Sequence, residues 1–398
     1  MKAEHRAQTE GVAPRIPTVL FGLGRIGQKH LQAMRRLPFD VRAIVDPALA
    51  GTELAGDIPI YKDAMSLLRA EGPVLFAPSE LRRAELVYGT EVETLLSAIS
   101  GLARRPAARA PLFVFATPPG GHLEETLRAL LSGAHVLVEK PVAMNEVELR
   151  HCETLTHFAE QAGLVTSVGH VYRYLPPFSA LLPDLRGGKF GRPLWAELSI
   201  HWGHDSEYYR APWRGTIAAD GGAILNQSIH GIDLASAVLM ADDTVEISSV
   251  QRNFVHEIEA EDYATAHYDF ANGSVLTVTG TTATWSTRQR ATLFVKYEEL
   301  EIWAAFGGTL PQLSLRDRRG RDWRWHYLRE SLKQRELGVL ELLSAFKNPH
   351  ELIYRDLYRG IVDGQKTLTD LRTGAQAVSL ALAMARRGPE SRESSLES

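Results

Sequence analysis

An asparagine and a histidine stand four residues apart in DGGAILNQSIHGIDL, residues 220–234. Side chains at this spacing share one face of an α-helix, so the pattern predicts Asn226 and His230 side by side behind a flexible glycine turn. Imidazole exchanges protons near neutral pH, whereas an amide holds a hydroxyl group without titrating. The two residues are therefore predicted to bind a substrate hydroxyl, with His230 as general base. A buried structural histidine would explain His230 alone.

A lysine follows a short apolar run in AHVLVEKP, where Glu139, Lys140 and Pro141 come directly after the run. The carboxyl ends of parallel strands meet at the ligand-binding edge of an open α/β sheet. An ammonium group at that edge stabilises an alkoxide during oxidation or polarises a carbonyl during reduction. Lys140 is predicted to do this, and because burial lowers a lysine pKa, it is also an alternative proton carrier.

Three glycines, Gly22, Gly24 and Gly27, form a G-x-G-x-x-G motif after one apolar run and before a helical pattern. This arrangement is typical of a turn that brings a pyrophosphate against backbone and a helix N-terminus. Asp46 ends the next apolar run 19 residues after Gly27, where a carboxylate binds ribose hydroxyls and repels a 2′-phosphate. The motif predicts NAD rather than NADP, the alternative being a glycine turn with a capping Asp. Further predicted cofactor contacts are Arg25, Ile26, Thr117, Pro118, His122, Glu139 and Lys140. For His122, bracing the following helix is the alternative role.

The chain has 398 residues, more than one compact core usually supports, so two domains are expected. An apolar fraction of 44%, a charged fraction of 23% and a net charge of −4 give no argument for nucleic acid or a membrane as partner. A single cysteine, Cys152, and an opening segment without the apolar stretch of a signal peptide favour a cytoplasmic protein.

Apolar runs of strand length alternate with helical patterns in the first part of the chain, as in TVLFGLGRIG, VRAIVD and PLFVFATPP. This alternation predicts an α/β protein whose N-terminal domain is a Rossmann parallel sheet. Later segments such as DYATAHYDF and SVLTVTGTTATW alternate residue by residue, and Asn272-Gly273 between them predicts a hairpin. The C-terminal domain is therefore predicted to be α+β, with an open, mainly antiparallel sheet.

The predicted boundaries follow from these patterns. Residues 71–110 are an insertion, expected to be helical and to serve packing or oligomer contact. We expect disordered tails at 1–15 and 388–398, a Rossmann domain at 16–142, and a substrate-binding and oligomerisation domain at 143–387.

Taken in order, FGLGRIGQKH, VDP, FATPPGGH, HVLVEKP and GGAILNQSIHGID resemble the Gfo/Idh/MocA family of oxidoreductases. The resemblance implies an N-terminal Rossmann domain, a C-terminal open sheet, and a nicotinamide held near Lys140. In the family the Lys of E-K-P acts with a carboxylate and a histidine four residues apart on a helix. Here Asn226 replaces that carboxylate, so the role of base falls more firmly on His230. Asp233 is a candidate to orient the His230 ring, with helix capping or surface exposure as alternatives.

The pieces EYY, WRGT, DGG and NQSIH resemble a nucleotide-sugar branch of this family that oxidises C3 of UDP-N-acetylglucosaminuronate. The predicted reaction moves a hydride between NAD and a ring hydroxyl or ketone, with C3 as the expected carbon. The predicted substrate contacts are Lys140, Arg173, Tyr209, Arg214, Asn226, Gln227 and His230; Tyr208 and Trp213 would line a sugar face or pack between domains. Guanidinium groups suit a phosphate or carboxylate. The HWGHD segment, residues 201–205, lacks a third well-placed ligand, and no metal is expected.

Three other functions stay open at this point. The first alternative is a dehydrogenase whose substrate is a free cyclitol, an aldose or a sugar phosphate. The second alternative is a glycosidase that uses NAD for transient oxidation of its substrate. The third is a protein that binds NAD without catalysis. The resemblance to the family also implies a homo-oligomer, dimer or tetramer, because the exposed face of the open sheet commonly binds a partner in this family.

Overall fold

The computed structural model covers most of the chain. It describes residues 13–52, 56–98, 110–241, 243–307, 312–335, 338, 341, 344 and 347–385. Residues 1–12 and 388–398 of the predicted tails, and residues 99–109 of the predicted insertion, lie outside the described residues.

Six parallel strands form the first sheet. They are β1 (Ile16–Phe21), β2 (Phe39–Val45), β3 (Ile60–Tyr61), β4 (Leu112–Phe115), β5 (His135–Val138) and β6 (Thr166–Val168). Their order is β3-β2-β1-β4-β5-β6, and every side chain of β4 and β5 is buried, as expected for a sheet covered on both faces. The order reverses between β1 and β4, which places a ligand crevice outside the carboxyl ends of these two strands.

Helices cover both faces of this sheet. They are α1 (Arg25–Arg35), α2 (Ala64–Leu75), α3 (Pro78–Tyr88), α4 (Val92–Ala98), α5 (His122–Ser132) and α6 (Glu146–Ala162). The described part of the insertion is helical. Arg128 of α5 donates to the carbonyl oxygens of Val87 and Thr90, at 2.7 and 2.9 Å, and so ties the insertion to the helical layer of the sheet.

Seven strands form the second sheet. They are β7 (Pro193–His201), β8 (Thr244–Arg252), β9 (Tyr263–Phe270), β10 (Val275–Thr281), β11 (Arg290–Tyr297), β12 (Leu300–Phe306) and β13 (Gln312–Asp317). In the order β13-β12-β11-β7-β10-β9-β8, only the β7–β10 pairing is parallel. The predicted combination of a parallel sheet and a mainly antiparallel sheet is confirmed, and Asn272-Gly273 joins β9 to β10 as a hairpin.

The remaining helices belong to both halves of the protein. They are α7 (Phe178–Arg186), α8 (Ile229–Leu239), α9 (Arg324–Arg335), α10 (His350–Asp363) and α11 (Leu371–Ala385). Helices α8 and α11 pack on the second sheet, whereas Tyr354 of α10 packs against Phe39 of the first, with 5.1 Å between ring centroids. The first domain therefore extends past the predicted boundary at residue 142, because β6 and α10 complete it.

The outer face of the second sheet carries exposed side chains, among them Trp195, which stacks on Phe294 with 4.9 Å between ring centroids. Within the described part of the chain, no helix combines the length and the apolar character that crossing a membrane requires.

Candidate active site

A cleft of about 370 Å³ lies at the carboxyl ends of β1, β2 and β4. It contains most of the residues that the sequence predicts to bind a cofactor, together with two residues of the second domain. These are Gly22, Gly24, Arg25, Ile26, Asp46, Thr117 and Pro118 from the first domain, and Trp213 and Arg214 from the second. The structure thus brings the predicted cofactor residues to the crevice that the strand order defines.

The glycine turn of this cleft fits a dinucleotide. Gly22 has a φ of 83°, and a β-carbon there would lie 2.7 Å from the carbonyl oxygen of Ala116. Gly24, at the N-terminus of α1, has no heavy atom within 4 Å of the position of a β-carbon, so open space adjoins its backbone. A helix N-terminus with open backbone beside it accepts a pyrophosphate.

Asp46 lies at the edge of the same cleft. Its Oδ2 accepts a hydrogen bond from the backbone N–H of Leu23 at 2.9 Å, and its Oδ1 accepts one from Ala48 at 3.0 Å. The carboxylate therefore braces the glycine turn, as the alternative interpretation proposed. It also remains half-buried beside the cleft, where a ribose would approach.

Two predicted cofactor residues are directed elsewhere. His122 is buried, and its ring nitrogens lie 2.8 and 3.0 Å from the carbonyl oxygens of Pro141 and Thr117, so it braces the ends of two strands. Glu139 is buried against His30 and His350 instead of lining the cleft. The expectation that these two side chains contact the cofactor is therefore corrected.

Lys140 is held by the segment that carries Asn226. Residues Ala223–Ser228 form a turn of π-helix directly before α8, where the sequence predicts an uninterrupted α-helix. Lys140 Nζ donates to the backbone oxygen of Asn226 at 2.7 Å and to its Oδ1 at 3.0 Å. Changed hydrogen bonding in a π-helical turn often marks functional sites. Burial lowers the pKa of Lys140, and the charges of Glu139 and Asp220 oppose that shift.

A carboxyl group lies against Asn226, that of Asp220, a residue that sequence reasoning did not select. Asn226 Nδ2 donates to Asp220 Oδ1, and the backbone N–H of Gly215 donates to Asp220 Oδ2 at 2.8 Å. Burial raises the pKa of Asp220, against these hydrogen bonds and the positive charges of Arg214 and Lys140. The amide of Asn226 therefore bridges the Lys140 ammonium and a carboxyl group six residues earlier in the chain.

His230 lies in the same electrostatic environment. Burial holds its pKa well below the ordinary value, and the positive charge of Lys140 lowers it further. Its ring packs between His170 and Tyr172, at centroid distances of 5.9 and 5.4 Å. Among the residues that the structure describes, its Nδ1 is enclosed and has no hydrogen-bond partner. His230 is thus a neutral imidazole at neutral pH.

Arg173 and Asp233 form a buried ion pair with each other. Arg173 Nε donates to Asp233 Oδ2 at 2.8 Å, and Nη2 lies 2.7 Å from Oδ1. The side chains are 2% and 0% exposed. Burial raises the pKa of Asp233 to about 6, with the guanidinium opposing the shift. Two expectations are corrected here, because Arg173 is committed to Asp233 instead of a substrate, and Asp233 binds Arg173 instead of orienting His230.

Replacing Arg173 by Met is expected to lower the free energy of unfolding by about 3–5 kcal/mol, because it leaves the buried Asp233 without a counter-charge. Urea denaturation at pH 7 measures this. The double variant Arg173→Met/Asp233→Leu, which removes both charges, should recover most of the loss. If Arg173→Met instead raised the KM for the substrate and left the stability unchanged, Arg173 would be a substrate-binding residue as the sequence predicted.

A stack of rings and a guanidinium closes the second-domain side of the cleft. The ring of Tyr208 lies 3.6 Å from that of His204 at an interplanar angle of 2°, and Arg214 lies 3.7 Å from the ring centroid on Tyr208. Gln227 Nε2 donates to the Tyr208 hydroxyl at 2.8 Å. Tyr209, in contrast, donates to Thr282 at 3.0 Å. Of the two tyrosines that the sequence proposes for the sugar, Tyr208 therefore lies with Gln227 and Arg214, whereas Tyr209 is bound to Thr282.

A second residue that sequence reasoning missed is Glu261. Its Oε1 accepts from the N–H of Ile224 at 2.9 Å, and its backbone oxygen accepts from Ala223 at 3.0 Å, so it caps the π-helical turn. Neither Glu261 nor Asp220 belongs to a sequence motif with a known role. The short DGG segment was the one signal that pointed to Asp220.

The fold and this cleft define a two-domain, dinucleotide-binding oxidoreductase. Residues 16–170 match the model of the oxidoreductase family with an NAD-binding Rossmann fold, and residues 184–301 match that of the GFO/IDH/MocA C-terminal domain. The chain belongs to the Gfo/Idh/MocA family. Its N-terminal domain is an NAD-binding Rossmann domain, which confirms the predicted cofactor.

Curated relatives match over limited segments. A 1,5-anhydro-D-fructose reductase of Ensifer adhaerens is 32% identical over 33% of this chain and 38% of its own length. A UDP-N-acetylglucosamine 3-dehydrogenase of Acidithiobacillus ferrooxidans is 28% identical over 40% of this chain and 44% of its own length. The matched segments thus span less than half of these relatives.

A solved structure of similar fold covers nearly the whole chain. The WlbA dehydrogenase from Bordetella pertussis, crystallised with NADH and UDP-GlcNAcA, has a TM-score of 0.73 and 20% sequence identity. The superposition covers 94% of this chain and 95% of that chain. This likeness shows the shared fold of both domains.

Proposed function

We propose that the protein is an NAD-dependent dehydrogenase that moves a hydride between the nicotinamide and a ring hydroxyl or ketone, at C3, of a nucleotide sugar. The observation that carries the proposal is that Lys140, from the first domain, donates to Asn226, four residues before His230, and that its positive charge lowers the pKa of His230. The similarity to a dehydrogenase solved with NADH and UDP-GlcNAcA supports the substrate class.

Lys140 is the group we assign to the reacting oxygen. An ammonium group has three N–H donors, and two of them are directed to Asn226. The third is left for the substrate oxygen, where the positive charge stabilises the alkoxide that forms as the hydroxyl proton leaves. Asp220, acting through the Asn226 amide, balances this charge in the free protein.

His230 is the group we assign to the proton. Since Nδ1 is enclosed, we assign Nε2 as the nitrogen that accepts the hydroxyl proton during oxidation and returns it during reduction. When bound, NAD supplies the acceptor for the hydride. Tyr208, Gln227 and Arg214 are suited to hold the rest of the substrate, because they offer a ring face, an amide and a cation at the mouth of the cleft.

A substrate panel tests this function. The purified protein is assayed for NADH formation with UDP-N-acetylglucosaminuronate, UDP-N-acetylglucosamine, scyllo-inositol, free aldoses and their phosphates. Reduction of the product with borodeuteride then places deuterium at the oxidised carbon, which should be C3. Preference for scyllo-inositol or a free sugar would replace the nucleotide sugar as substrate. Cleavage of nitrophenyl glycosides without net NADH would indicate a glycosidase.

Asp46→Ala is expected to weaken NAD binding about tenfold and to reduce the preference for NAD over NADP, because the carboxylate that would bind the ribose and repel a 2′-phosphate is lost. Titration with both dinucleotides, followed by fluorescence, gives the two affinities. Asp46→Asn keeps an acceptor oxygen for the N–H of Leu23 but removes the negative charge. It therefore separates the repulsion of a 2′-phosphate from the bracing of the glycine turn. An unchanged ratio of the two affinities in both variants would contradict the ribose contact.

The exposed outer face of the second sheet is the surface we propose for a homo-oligomer. Trp195 and Phe294 place a stacked aromatic pair on it.

A further inference from the structure

A second cluster of buried polar side chains adjoins Lys140 in the chain and has no part in the proposed reaction. It consists of His30 on α1, Glu139 after β5 and His350 at the start of α10, each less than 10% exposed. Nε2 of His30 lies 3.1 Å, and Nε2 of His350 lies 3.3 Å, from the same oxygen, Oε1 of Glu139. Helices α1 and α10 therefore converge on the carboxylate next to Lys140.

The hydrogen bonds around His350 determine where its protons are. Asn348 Nδ2 donates to the backbone oxygen of Lys29 at 2.7 Å. Since a carbonyl oxygen only accepts, this contact fixes the orientation of the Asn348 amide, with Oδ1 toward His350. That Oδ1 lies 3.1 Å from His350 Nδ1, which must therefore carry a hydrogen.

The other nitrogen of His350 faces an acceptor as well. Nε2 points at the carboxylate oxygen of Glu139, but a neutral imidazole carries only one N–H. In a neutral His350, the ring nitrogen without a hydrogen would direct its lone pair at an acceptor oxygen of either Asn348 or Glu139, which is unfavourable. With a second proton it donates to both.

His30 needs no second proton. Its Nδ1 lies 2.9 Å from the hydroxyl of Tyr354, which donates to it, while its Nε2–H donates to Glu139. Burial lowers the pKa of His30, and positive charge on His350 lowers it further. Burial alone would raise the pKa of Glu139, but hydrogen bonds from His30 and His350 outweigh it and hold that pKa well below its usual value.

The charges in this cluster then sum to zero. The titratable groups that feel the charge of Glu139 are the adjacent Lys140, His30 on α1, His350 and Tyr354 on α10, and the buried His122, His170 and His230. Burial lowers the pKa of each of the last three, so they are counted as neutral. One carboxylate and one imidazolium cancel. A divalent cation held by the same three ligands would leave a net positive charge next to the Lys140 ammonium, which is the less favourable arrangement in a buried site.

We propose that His350 is an imidazolium that anchors the Glu139 carboxylate and thereby positions Lys140. With its charge balanced, Glu139 does not compete with Asn226 for the Lys140 ammonium, which stays directed at the reacting oxygen. The backbone of Gly169 packs so closely on the carboxylate that a β-carbon there would collide with it, which closes one more side of the Glu139 site. His350 is in this sense a positioning residue for the lysine.

The protonation state is tested without any assay of activity. Nitrogen NMR of protein labelled with ¹⁵N-histidine, assigned with His350→Gln, should show both ring nitrogens of His350 protonated at pH 7, and one nitrogen of His30. Asn348→Leu removes the acceptor at Nδ1 and should leave His350 with a single proton, even if His350→Gln does not fold. A singly protonated His350 in the unmodified protein, or stoichiometric zinc in the protein as isolated, would overturn the proposal.

The positioning role rests on the proposed function and is tested by kinetics. His350→Gln keeps an N–H donor but loses the charge, so kcat should fall about tenfold to a hundredfold while the KM for NAD stays within about threefold. The matched control is His157→Gln, the same change at an exposed histidine, which should have no effect. An unchanged kcat would refute the positioning role. If no substrate in the panel is turned over, the proposed function fails, and the NMR result still decides the protonation of His350.

Discussion

His230→Ala is expected to lower kcat for sugar oxidation at least about a hundredfold, because no other neutral base is assigned to the hydroxyl proton. NAD affinity should be unchanged, since His230 lies on α8 and is not among the residues that line the cofactor cleft. Initial rates of NADH formation measure kcat, and a fluorescence titration measures NAD binding. Added imidazole should restore part of the lost rate, because it can enter the space that the side chain leaves. A variant with full activity would end the assignment of His230 as base.

The pH dependence of this step follows from the lowered pKa of His230. A base whose pKa lies well below 6.5 stays deprotonated as the pH falls through 6.5, so kcat of oxidation should stay level there and decline only in more acidic solution. The pH dependence is opposite for reduction. Because the protonated form of His230 is required there, the rate of reduction should rise as the pH falls. A midpoint of the oxidation profile at or above 6.5 would contradict the effects of burial and Lys140.

Lys140→Met is expected to reduce kcat about 10²- to 10³-fold, the loss typical of removing one donor to a developing oxyanion. Met has a similar length and no charge, so the fold should persist. Lys140→Arg keeps the charge but replaces a compact ammonium by a planar group, which does not match the two oxygens of Asn226, and it should recover little activity.

The matched control for Lys140 is Lys366→Met, the same change at an exposed lysine. It should leave kcat and both KM values as they are. If Lys140→Met changed only the substrate KM, the lysine would serve binding alone, and stabilisation of the alkoxide would have to come from another group.

Much of the architecture was predictable because it rests on local patterns. Continuous apolar runs predicted the buried parallel strands, and alternating runs predicted the half-covered second sheet. The glycine motif with Asp46 predicted the cofactor cleft, since Gly22 and Gly27 are required by backbone that approaches them closely, and Gly24 leaves open space at the helix N-terminus. The very short strand β3 and the late strand β6 carry too few residues for such a pattern.

The fates of individual polar side chains were less predictable. Arg173 and Asp233 both have types that serve active sites, but their partners are each other, 60 residues apart in the chain. Glu139 shares a motif with Lys140 and yet faces away, toward helices α1 and α10. A sequence specifies which groups are present, whereas the packing of distant elements decides which of them are buried together.

From the sequence alone came the two-domain α/β plan and the cofactor, because periodicity and short-range spacing express these directly. The short motifs also identified the family. The joint action of Lys140 and His230 is implied by the resemblance to that family and stays a prediction. Only the tertiary structure decided that residues 223–228 form a π-helical turn, that Asn226 binds Asp220, and that His350 reaches Glu139. The turn is held by Glu261 and Lys140, and His350 lies 211 residues from Glu139, so these outcomes depend on hydrogen bonds between segments far apart in the chain. Such bonds form only after the two domains and the C-terminal helices have packed.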